Sequence, residues 1–208
     1  MRTTLCLLVL LSLSACQTAE RAAVTAADAV EDAAGAVYNS AADLFDGDGS
    51  DAVYAGALVR PTSAAGSTVQ GTATFRESDG GLVVAVSLRG LAPGMHAVHI
   101  HETPDCGPGD DGTPGGAAGG HWDPMDTMDH GASSDDLDAK HLGDLGNVEA
   151  AADGTAQAVF AVSPFPTAEY SVAGRAVMVN SGRDDLESDP GGGAGTRVGC
   201  GVIEGRTP

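Results

Sequence analysis

The chain has 208 residues with 30 Gly, 10 Pro and only 4% aromatics, which excludes a multidomain enzyme and a helical bundle and favours one loop-rich β domain beside a tether. Acidic residues outnumber basic ones 29 to 10, and a formal charge of -19 at pH 7 repels phosphate backbones, so no nucleic-acid partner is expected. The same charge opposes an anionic substrate unless a local cation overrides it.

Arg2, an apolar run from Leu5 to Leu13 and small residues ahead of Cys16 read as an export signal over residues 1–16. The run is too short to span a bilayer. Leu13-Ser14-Ala15-Cys16 resembles a bacterial lipobox, so Cys16 is expected to carry a lipid and to anchor the exported protein to a bacterial membrane, facing the periplasm or the cell exterior. An ordinary secretory signal with an incidental Cys16 is the alternative. Residues 17–50 are Ala-rich, with Val30, Val37 and Leu44 spaced by seven, and predict a helical tether that is solvated or forms a short coiled coil. Gly47-Asp48-Gly49-Ser50 ends it, and the folded domain is expected over 51–208.

Within that domain, strand character falls on Ala52 to Arg60, Thr68 to Glu77, Leu82 to Arg89, Met95 to His101, Thr155 to Ser163, Val172 to Asn180 and Val198 to Ile203. Leu82, Val84, Val86 and Leu88 share one face of the third. Turn pairs such as Asp79-Gly80 and Asp153-Gly154 separate the runs, as in a Greek-key sandwich or barrel. Glu102 to Asn147 and Ser181 to Arg197 do not read as strands, and loops that long in a compact domain are functional or disordered.

All six histidines (His96, His99, His101, His121, His130 and His141) lie in or beside the first of these loops. Side chains at i and i+2 of a strand share a face, so His99 and His101 could grip one metal ion from one side. His121, His130 and His141 with Asp144 could supply a second site of three nitrogens and a carboxylate, the closed set typical of structural zinc. A merely polar or pH-sensing His-rich loop is the alternative. Of four cysteines, Cys6 leaves with the leader and Cys16 is the lipid candidate. Cys106 and Cys200 remain, and a disulfide between them is expected in an oxidising compartment.

Over about Val53 to Glu204 the chain resembles the copper/zinc superoxide dismutases. The likeness is carried by Gly94-Met95-His96-Ala97-Val98-His99-Ile100-His101-Glu102, Gly120-His121-Trp122-Asp123-Pro124, His141-Leu142-Gly143-Asp144-Leu145-Gly146-Asn147-Val148 and Gly195-Thr196-Arg197-Val198-Gly199-Cys200-Gly201-Val202-Ile203. The resemblance implies an all-β, eight-stranded Greek-key barrel or sandwich with long metal-binding and electrostatic loops. It implies copper on His99, His101 and His121, and zinc on His121, His130, His141 and Asp144. His96 would hold loops by hydrogen bonds, and Asp184 would link a copper histidine to a zinc histidine. Arg197 would attract superoxide, the local cation that the net charge demands, where a surface ion pair is its plain alternative. The implied activity is disproportionation of superoxide to oxygen and hydrogen peroxide at copper beside a structural zinc.

The likeness is incomplete at one position. The family has a further copper histidine where this chain has Asn180, aligned through the following Asp184-Asp185-Leu186. An amide oxygen is a poor copper ligand beside imidazole, so weaker copper retention and an attenuated dismutase are expected. The competing expectation is a non-catalytic, zinc-stabilised module that binds or carries copper or serves the envelope as a structural protein. No interface pattern is legible, so monomer and homodimer both stand open.

Overall fold

The computed structural model describes residues 53–78, 81–166 and 169–205. The expected leader with Cys16 and the tether over 17–50 lie outside the described residues. The strands in chain order are β1 (Val53–Pro61), β2 (Gln70–Ser78), β3 (Gly81–Arg89), β4 (Gly94–His101), β5 (Asp144–Ala150), β6 (Ala156–Val162), β7 (Ala176–Asn180), β8 (Arg197–Val202) and the short β9 (Glu204–Gly205). A 3-10 turn at Gly116–Ala118 is the one helical element among the described residues.

Strand order is β2-β3-β6-β5-β4-β7-β8-β1-β9, and β1 also pairs with β2, so the first eight strands close a barrel while β9 adds to the edge of β1. β3 lies beside β6 and β4 beside β7, which makes the connections Greek-key, as expected. Closure pairs the strand edges that would otherwise template aggregation. The alternating face of β3 points inward: Leu82, Val84, Val86 and Leu88 are all buried, with Phe75 and Phe160 in the same core. Burying each such side chain is worth about 1.5–3 kcal/mol.

One strand, β5, is not among the expected runs, and the start of β7 differs from expectation. β5 begins at Asp144, inside a segment that reads as loop, because polar Asp144 and Asn147 and an extra residue, Leu145, interrupt its alternation: Val98 and His99 pair with Gly146 and Asp144. β7 begins at Ala176 and not Val172, since residues 172–175 turn, with Arg175 N donating to Val172 O at 3.2 Å. The expected disulfide joins Cys106 to Cys200 across 94 positions and fastens the long loop between β4 and β5 to β8. In the chain-entropy picture a closure of that length stabilises by about 4–5 kcal/mol.

Candidate metal centre

β4 presents His99 and His101 on one face, and the loop that follows folds back across that face. Trp122 N donates to Ile100 O at 2.8 Å, Ile100 N to Gly143 O at 2.8 Å, and Gly143 N to Trp122 O at 2.9 Å. The two segments thus meet each other and the same edge of β4 at Ile100, which brings His121 beside His141 and Asp144. Only glycine fits at position 143, where a Cβ would overlap the Ile100 carbonyl. His130 is set by its own backbone N–H, which donates to Asp189 Oδ1 at 2.8 Å, and by the next N–H, Gly131, which donates to Asp144 Oδ2 at 3.1 Å.

Two donor sets result. In the first, the Nδ1 atoms of His121, His130 and His141 lie 2.7, 3.1 and 3.4 Å from Asp144 Oδ1. Asp144 Oδ2 meanwhile accepts from the backbone of Gly131 and His141, so the carboxylate cannot turn away. Three imidazole nitrogens and one carboxylate oxygen are the number and kind of donors that a closed zinc site would use. In the second, His99, His101 and His121 each offer a nitrogen within 4.8 Å of the others. His99 Nε2 lies 2.8 Å from Asp184 Oδ2 and His101 Nδ1 lies 3.0 Å from Gly119 O, contacts in which each nitrogen must donate. Their remaining nitrogens, His99 Nδ1 and His101 Nε2, carry lone pairs and are buried without a hydrogen-bond partner. Leaving such atoms unpaired costs about 1–3 kcal/mol each. A metal ion on that set satisfies them, and all-imidazole donors suit copper, so the residues present fit both ions.

Asp184 joins the sets. Its Oδ1 lies 2.8 Å from His130 Nε2 while Oδ2 holds His99, so His99, His130 and Asp184 form a hydrogen-bonded link and not a third site. Asn147 brackets the backbone of Asp184 with bonds of 2.9 and 2.8 Å, and Gly192, at φ 62, packs where a Cβ would overlap Asp184 Oδ1.

Charge is arranged accordingly. Burial, outweighing the pull of Asp144, pushes the His121 imidazole down to about 4, and burial with the nearby Arg197 charge holds His101 well below its ordinary value. Burial opposes charge on His130 too, but Asp144 and Asp184 outweigh it and push that group up to about 10; Asp144 likewise raises His141. Asp144 and Asp184, although buried, are held by the histidines well below the usual carboxylate range. His101 and His121 are thus neutral donors at pH 7, and His130 keeps a proton until a metal displaces it.

Arg197, at the start of β8, donates from Nη1 to Gly115 O at 2.9 Å and from Nη2 to Gly119 O at 2.8 Å. Gly119 O thereby holds both His101 and the guanidinium. Among the described residues no carboxylate lies within ion-pair distance of Arg197, so its charge is not neutralised locally. His96 bridges the end of β7 to the β3–β4 connection, with Nδ1 2.8 Å from Asn180 O and Nε2 2.7 Å from Ala92 O. Asn180 is buried at the end of β7. The residues singled out in the sequence therefore converge, and Gly119, Asn147 and Asp189 join them without having been singled out.

The profile of the family described as copper/zinc superoxide dismutase (SODC) matches residues 69–203. The chain belongs to that family. It is 45% identical over 139 residues to a Cu-Zn superoxide dismutase of Haemophilus parainfluenzae, covering 64% of this chain and 73% of that protein. It is 38% identical over 141 residues to one of Deinococcus radiodurans, covering 65% and 78%. The solved Cu/Zn superoxide dismutase from Brucella abortus superposes with a TM-score of 0.61 at 38% identity, over 72% of this chain and 98% of that one. Within the dismutase family this chain keeps the barrel and brings both donor sets onto one face of β4 and its loop.

Proposed function

We propose that the protein disproportionates superoxide to oxygen and hydrogen peroxide, with copper on His99, His101 and His121 and zinc on His121, His130, His141 and Asp144. The observation that carries this is the pair of buried, partnerless nitrogens, His99 Nδ1 and His101 Nε2, grouped with His121 and close to the Arg197 guanidinium. Copper, when bound, supplies one-electron oxidation and reduction. Arg197 binds and orients the anion, and Gly115 and Gly119 fix the guanidinium in place. His121 Nδ1 faces Asp144 and the zinc set, so Nε2 is the atom on that ring that would carry a proton when it is not engaged by copper. Asp184 keeps the rings of His99 and His130 in one orientation, the support that metal-binding imidazoles need.

The test is superoxide disappearance with the copper- and zinc-loaded protein against a zinc-only preparation at equal concentration. Copper-dependent turnover above that of free copper is expected. A rate no higher than free copper explains would overturn the dismutase and leave a zinc-stabilised copper-binding module.

We also propose export and lipid anchoring at Cys16, supported by the Leu13-Ser14-Ala15-Cys16 stretch. Membrane-fractionated protein is expected to begin at a lipid-modified Cys16, and Cys16→Ala to release it. An unmodified N-terminus by mass spectrometry contradicts the anchor.

A further inference from the structure

One buried polar atom beside the copper histidines has no use in the reading above. Asn180 is 7% exposed, and its Nδ2 donates to Gly195 O at 3.3 Å. A carbonyl only accepts, so this contact fixes which end of the amide is nitrogen and leaves Oδ1 on the other side. Oδ1 is buried and has no hydrogen-bond partner.

The strand register places that amide. His99 on β4 pairs with Met178 on β7, and Val98 with Val179. Asn180, two residues beyond Met178, therefore lies on the same face as His99 and diagonal to it, within reach of side-chain contact. The local irregularity does not disturb this. Val179 pairs with Gly199 and Asn180 with Arg197, so the extra residue is Val198 on β8 and β7 keeps its alternation. The main chain is also held, since Asn180 O lies 2.8 Å from His96 Nδ1. His99 Nδ1, His101 Nε2 and Asn180 Oδ1 are thus three buried acceptors without donors on one face. Buried acceptors in that condition call for a donor or a cation.

We propose that Asn180 Oδ1 is the fourth protein donor to the ion held by His99, His101 and His121. The inference rests on the copper reading of those histidines. It makes the copper position three imidazole nitrogens and one amide oxygen. An amide oxygen is a harder and weaker donor than imidazole, better matched to Cu(II) than to Cu(I). The site therefore holds copper less firmly than four imidazoles would, and the reduced ion least firmly.

The test uses the zinc-loaded full chain titrated with Cu(II), read by electron paramagnetic resonance and by competition with a chelator. Asn180→Ala is expected to change the Cu(II) spectrum and raise the dissociation constant about tenfold. Asn180→His is expected to add the coupling of another nitrogen and lower the constant about tenfold. A spectrum and constant unchanged in Asn180→Ala overturn the assignment of Oδ1, while nitrogen coupling from His99, His101 and His121 persists. Absence of that coupling in every variant overturns the copper reading itself. If Asn180→Ala fails to bind zinc, the isosteric Asn180→Asp decides: tighter Cu(II) binding supports the proposal, and unchanged binding overturns it.

Discussion

Arg197→Ala lowers the copper-dependent rate of superoxide removal by about tenfold at low ionic strength, and the variant's rate rises as salt is added. Electrostatic steering into a charged cleft changes encounter rates by about 10- to 1,000-fold. A formal charge of -19 over the whole chain opposes the approach of an anionic substrate. The guanidinium is the cation at the site: it lies close enough to His101 to depress that imidazole, and no carboxylate among the described residues cancels it. Distant acidic groups are screened over about 10 Å at 0.1 M salt, whereas a half-buried neighbour is screened much less. With Arg197 gone the acidic surface weighs more heavily against the charge of the bound ions, which is why salt speeds the variant. Stopped-flow rates across a salt series check this. Equal rates for the two proteins at every salt concentration would show that the guanidinium does not steer. Arg197→Lys separates charge from shape, because an ammonium keeps the charge but cannot bond Gly115 and Gly119 together from one planar group.

Removing zinc is expected to lower the melting temperature by about 10 °C. A ligand at about 1,000 times its dissociation constant adds about 4 kcal/mol to stability, and for a domain of this size each kcal/mol moves the midpoint by about 2–4 °C. The structure shows where that stability resides. Without the ion, Asp144 Oδ1 alone gathers the Nδ1 atoms of three histidines from a long loop, and His130 keeps its proton inside the fold. Asp144→Ala is expected to melt below the zinc-stripped wild type and to gain nothing from added zinc. It loses the ligand and also leaves the N–H groups of Gly131 and His141 without their acceptor, at about 1–3 kcal/mol each. Calorimetry with and without a chelator measures both effects. A zinc-dependent rise in the melting point of Asp144→Ala would place the ion elsewhere.

The parts of this architecture written as side-chain periodicity or as ligand chemistry were legible in the sequence. Leu82, Val84, Val86 and Leu88 alternate and are buried, and the clustered histidines with Asp144 do form two donor sets. β5 was not legible, because a strand that opens on a buried carboxylate and carries a bulge at Leu145 has no period to find. The same holds for contacts made through main-chain atoms, which every residue possesses. Gly119 holds His101 and Arg197 by its carbonyl across 18 and 78 positions, and Asn147 clasps the backbone of Asp184 across 37. Only the folded chain brings such partners together. Asn180 stands between the two cases: its identity stood out in the sequence, but the orphaned oxygen that gives it a purpose required the register of β4, β7 and β8.

Asp184 carries a consequence for metal loading in the cell. One carboxylate orients His99 with one oxygen and His130 with the other, and His121 belongs to both donor sets. An ion that settles on either set therefore pre-arranges a ligand of its neighbour. Thermodynamic linkage makes that assistance reciprocal: whatever factor zinc contributes to copper affinity, copper returns to zinc. A copper position as weak as the one proposed would thus borrow retention from a full zinc position, and zinc scarcity would become copper loss as well.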